Sequence, residues 1–68
     1  MSENNQEKIK RFSHLIVDAK YKLNEDQKTL SIMESDGATI QQCEWMRRCI
    51  QIGRRRVASL EARLSALL

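Results

Sequence analysis

The sequence predicts an all-α fold, an antiparallel two-helix hairpin, on three observations. The first is a stripe in the second half of the chain: Cys43, Met46, Ile50, Gly53, Val57, Leu60, Leu64 and Leu67, spaced alternately by three and four residues. That alternation is a heptad seam and places these residues on one face of a single long helix. The second is a matching stripe in the first half, made of Ile9, Phe12, Ile16, Ala19, Leu23, Asp26, Leu30 and Met33. The third is the segment between them, Ser35-Asp36-Gly37-Ala38, which reads as a turn.

Taken in order, the elements form one domain over residues 1–68. Residues 1–4 are expected to fray. Asn4 can cap a helix, Glu7 sits where it would complete a capping box, and Glu3 and Glu7 complement the positive end of the helix dipole. The first helix is expected over about residues 5–34 and the turn over 35–38. Gly37 suits the left-handed residue that ends many helices. Thr39 and Gln42 then offer a second capping box, so the second helix is expected over about residues 39–67. The chain has no proline and only two glycines, Gly37 and Gly53, which suits long uninterrupted helices. A short connection requires the helices to run antiparallel.

In that arrangement the seams are expected to face each other as Met33–Ile40, Leu30–Cys43, Leu23–Ile50, Ile16–Val57 and Ile9–Leu64. Between these layers come Asp26–Met46, Ala19–Gly53 and Phe12–Leu60. The Ala19–Gly53 layer has almost no side chain, so close helix approach is expected there. Asp26 is the one polar residue on the first seam. It is expected to be reached by water or Arg47, with a register-setting role as the sharper alternative. A single continuous helix in a dimer is the competing architecture, and Asp36-Gly37 argues against it.

Composition limits the functional classes. At 68 residues, with 41% hydrophobic residues, the chain is neither large enough for a deep core nor composed like a disordered segment. Domains this small usually need a metal, disulfides or a partner. No apolar run approaches membrane-spanning length and the N-terminus lacks a secretory pattern, so a cytoplasmic protein is expected. Cys43 and Cys49 are six apart on one helix, too divergent to bond each other, and fit a reducing compartment. An intermolecular bridge through Cys49 is the minor alternative. One His and two Cys lack metal-ligand spacing, so no metal or cofactor is expected. No nucleophile has a base beside it, His14 points outward, there is no phosphate loop, and two helices are expected to leave no cleft. The chain therefore reads as no enzyme, with no catalytic residue.

Outside the seam the apolar surplus is one-sided. The g and c heptad positions of both helices share one flank and carry Leu15, Ile32, Trp45, Cys49, Ile52 and Ala66. The e and b flank is mostly Ser, Lys, Gln, Arg and Glu. Trp45, Cys49 and Ile52 form a line at i, i+4, i+7, and an uncovered apolar face holding a tryptophan marks a docking surface. The same residues could instead widen the intramolecular seam. Val17 and Tyr21 form a smaller pair. Residues 1–37 carry six Lys/Arg against seven Asp/Glu, and residues 38–68 six Arg against two Glu. Within the second group Arg47, Arg48, Arg54, Arg55 and Arg56 form a basic face. It suits phosphate or an acidic protein, with nucleic acid ranked behind protein because no aromatic residues interleave.

This layout, with the stretch Asp36-Gly37-Ala38-Thr39-Ile40-Gln41-Gln42-Cys43-Glu44-Trp45-Met46-Arg47, resembles the small E-type co-chaperones of bacterial type III secretion needles. The resemblance spans the whole chain as pattern rather than as diagnostic residues. It implies a cytoplasmic bacterial adaptor serving virulence. Such a hairpin docks on a helical-repeat chaperone, and the pair holds the needle subunit soluble before export. The arginine-rich second helix departs from the family pattern. The alternatives are a homodimeric bundle that binds nucleic acid through those arginines, and a small phage or regulatory protein that inhibits a host factor.

Overall fold

The computed structural model describes residues 4–68 and contains two helices, α1 (Asn5–Ser35) and α2 (Ile40–Leu67). They pack along their length as an antiparallel hairpin measuring 53 × 18 × 14 Å. The expected fraying of residues 1–3 and the role of Glu3 lie outside the described residues. Against the expected bounds, α1 ends one residue later and α2 begins one residue later, so the connection is residues 36–39.

Local chemistry sets each boundary. The Asn4 side chain accepts a hydrogen bond from the Glu7 amide at 2.8 Å, opening α1. Only this half of the expected capping box forms. At the other end Gly37 has φ +79°, and the Ala38 amide donates to the Met33 carbonyl at 2.9 Å. That six-residue closure with a left-handed glycine is the Schellman ending, which satisfies a carbonyl the helix would otherwise leave open. Two residues later the second capping box is complete. The Gln42 amide donates to Thr39 Oγ1 at 3.1 Å and the Thr39 amide to Gln42 Oε1 at 3.0 Å. Both helices are thus terminated and restarted within four residues, which drives the chain back on itself.

The buried core is thin. Ile16, Cys43, Ile50, Val57 and Leu60 are its buried apolar residues, four of them on α2. Phe12, Leu23, Leu30, Met33, Met46 and Leu64 are half-buried along the seam, as are Ile9, Ala19, Gly53 and Leu67. The accessible surface is 5538 Å², whereas a compact monomer of this mass exposes about 4,500 Å². The radius of gyration, 15.7 Å, likewise exceeds the roughly 11 Å of a compact chain of this length.

The side-chain layers differ from the expected pairing. The space beside Gly53 is filled by Leu23, not Ala19. Leu23 Cδ1 lies 3.3 Å from where a Gly53 Cβ would stand. The cause is the place of the turn: with α1 ending at Ser35 and α2 starting at Ile40, Leu23 rather than Ala19 lies near the level of Gly53. The expected Met33–Ile40 layer is also absent: Ile40, the first residue of α2, is 76% exposed. Gly53 thus makes room for a leucine rather than a close backbone contact.

The polar flank carries two ion pairs between the helices, Lys20–Glu61 at 3.4 Å and Glu34–Arg47 at 3.3 Å. Both are about half-exposed, so each contributes well under about 1 kcal/mol, but both agree on one alignment. Of the two expected partners of Asp26, water or Arg47, the arginine is engaged by Glu34 instead. Asp26 is half-buried on the seam and makes no ion pair among the described residues.

The two glycines should respond to alanine in opposite directions. Gly37→Ala forces a side chain into the left-handed region and is expected to destabilise by about 1 kcal/mol. Gly53→Ala removes the helix-interior glycine penalty, and its close contact is the mobile end of a half-buried leucine. It is expected to stabilise by about 0.5–1 kcal/mol. Urea titration followed by circular dichroism checks both. Equal destabilisation by the two variants would contradict the assignment of Gly53.

Candidate docking surface

Burial at the seam fixes what is left outside it. With a and d positions turned inward, the g and c rows of both helices form one flank. There Ile32 is 60%, Trp45 64% and Ile52 66% exposed. Leu15 stands at the edge of exposure and Cys49 is half-buried. Trp45 and Ile52, seven positions apart, are separated by about 10 Å along the axis, two turns of helix. Ile32, near the end of α1, lies on the same flank near the turn. Leu15 sits farther along, toward the chain ends, and is apart from this cluster. Cys43 is buried in the seam, and both thiols are free.

Beside Trp45 the flank is concave. Met33, Ala38, Gln41, Gln42, Trp45 and Met46 line an open groove of about 520 Å³ at the turn end of the hairpin. Its lining is almost wholly apolar. The Schellman turn brings Ala38 back over the last turn of α1, and its methyl leaves the space that a larger residue would fill. The two methionines nearest the turn add flexible thioether walls. The expectation that two helices leave no cleft was too strict, although this one is open and its walls carry amides, thioethers and an indole. The sequence reading named Trp45 but missed Ala38, Gln41 and Gln42 as its neighbours. A small residue directly after the turn glycine was the available signal.

The polar flank holds a second groove, about 390 Å³, lined by Gln27, Leu30, Arg47, Ile50, Gln51 and Arg54. Arg47, Arg48, Arg54, Arg55 and Arg56 are all exposed. They do not make one strip. Successive residues turn by about 100°, so Arg54 faces the polar flank, Arg55 the outer ridge and Arg56 the apolar flank. Arg47 is held by Glu34. No group of three or more His, Cys, Asp or Glu able to hold a metal occurs among the described residues. No helix among them is long and apolar enough to cross a membrane.

Trp45 is the sole tryptophan, so its fluorescence reports this surface directly. In the isolated chain it should emit as a water-exposed indole and be readily quenched by acrylamide. Trp45→Phe should change stability by less than about 0.5 kcal/mol. Strong protection from the quencher in dilute solution would mean that the chain covers this face by itself. Comparison with protein-family models, with curated proteins and with solved structures gave no match.

Proposed function

We propose that the chain is a non-enzymatic adaptor that works by docking its apolar flank on another helical protein. The observation that carries this reading is Trp45, Ile32 and Ile52, each about two-thirds exposed on one flank of a hairpin whose core has five buried residues. A chain with so little core has little to gain from spending three large apolar side chains on water. Burying them and the adjoining groove supplies on the order of several kcal/mol at about 25 cal/mol per Å², before association costs. In its most specific form the adaptor is a bacterial cytoplasmic co-chaperone. It pairs with a helical-repeat chaperone and helps hold a type III secretion needle subunit soluble before export. The layout of the hairpin and its turn supports that form.

The reading of the arginines as a nucleic-acid strip is less well supported. A phosphate backbone is followed by cations aligned along one edge, whereas Arg54, Arg55 and Arg56 fan around the helix.

The test is co-purification of the tagged chain from its native host, with bound proteins identified by mass spectrometry. The unaltered chain should retain a helical-repeat chaperone, and Trp45→Ala and Ile52→Asp should each reduce its recovery at least about tenfold, equivalent to 1.4 kcal/mol. Circular dichroism should show both variants still helical. Undiminished recovery by both variants would remove the docking proposal. Recovery of a different helical partner would remove only the secretion-specific form.

A further inference from the structure

Three arginines edge the apolar patch. Arg56 stands four residues after Ile52 and continues the row of Cys49. Arg48 lies three residues after Trp45 and four before Ile52, and Arg55 three after Ile52. Residues at these spacings are neighbours on a helix surface. The patch is therefore bounded along its α2 side and at its far end by guanidinium groups. None of the three has a carboxylate on it among the described residues, whereas Arg47 is held by Glu34 and Lys20 by Glu61. Across the patch, on the α1 edge, Glu25 is taken by Lys28 at 3.6 Å. On the α2 side of the patch and at its far end, the unmatched guanidinium groups outnumber the one carboxylate there, Glu44.

Resting on the docking reading above, we infer that the occupant is an amphipathic helix of another protein whose apolar stripe is bordered by Asp or Glu. Its apolar residues sit over Ile32, Trp45 and Ile52, with one entering the groove beside Trp45. Its acidic border meets Arg48, Arg55 and Arg56. The two-turn length of the patch matches the i, i+3, i+4, i+7 anchors of a helix laid in a groove. A guanidinium fork pairs a carboxylate through two parallel bonds. A second copy of this chain is a poor match. It brings a net charge of +3 and sets the same three arginines against the same edge, and of its acids Glu25, Glu34 and Glu61 are already held by Lys28, Arg47 and Lys20. A flat anionic bilayer satisfies the arginines but leaves the concave groove unfilled.

Three synthetic helical peptides test this, identical in their leucine stripe and flanked by Glu, Gln or Lys. Each is titrated into the full chain while Trp45 emission is followed, at about 50 mM and about 500 mM salt. The Glu-flanked peptide should bind at least about tenfold more tightly than the Gln-flanked one, and the Lys-flanked one most weakly. The preference should shrink at high salt. The triple variant Arg48→Gln/Arg55→Gln/Arg56→Gln should keep its helical signal and its affinity for the Gln-flanked peptide while losing the preference. Equal affinity for the three peptides overturns the acidic border and leaves docking intact. Binding of none of them overturns both readings, whether the chain then sediments as a dimer or Trp45 responds instead to anionic vesicles or duplex RNA.

Discussion

Two helices share one contact surface, and in this chain the meeting of Ile16, Cys43, Ile50, Val57 and Leu60 with the half-buried residues around them is all the tertiary structure has to work with. Among the described residues neither helix has a third element behind it. Apart from the cross-helix pairs Lys20–Glu61 and Glu34–Arg47, side chains outside that seam are held by their own helix and by the rigidity the seam lends to the pair. The caps matter more in such a molecule than in a large domain. Helix ends worth about 1 kcal/mol each are a large share of the stability of so small a fold. The Thr39–Gln42 box and the Gly37 ending set where α2 restarts, and that in turn sets which side chains meet.

The same constraint gives the surface its character. A hairpin cannot enclose its apolar residues, so they divide into a seam and a remainder. Part of the remainder, Val17, Tyr21 and Leu68, lies elsewhere, but Ile32, Trp45 and Ile52 share one flank, and Trp45 adjoins a concavity at the turn lined also by Met33, Ala38 and Met46. The polar flank has the opposite organisation, with Lys20–Glu61 and Glu34–Arg47 tying the helices together. One flank is internally satisfied and the other is not, and this asymmetry carries the functional reading.

Much of the fold was legible because its determinants are local. Heptad spacing, the Gly37 turn and the Thr39 cap are each written within a few residues, and the outward face of Trp45 and Ile52 follows once the seam is known. The layer pairing was not legible in the same way. Sliding one stripe along the other keeps every apolar residue on the seam, so periodicity alone does not choose between alignments. The bounds of the turn make the choice, giving Gly53 to Leu23 and leaving Ile40 in water. The engagement of Arg47 by Glu34 rather than Asp26 depends on that alignment. The groove was missed because it arises from the return of Ala38 over α1, a three-dimensional consequence of the turn that no single stripe encodes.

A hairpin also has two unlike poles. The turn and the groove occupy one pole, and residues 4 and 68 lie near the other, at the far end of a 53 Å body. A fluorophore, a surface tether or a fused domain attached beside residue 4 or residue 68 would thus leave from the side remote from Trp45. The molecule could be immobilised or labelled without obstructing the pole on which its proposed partner would settle.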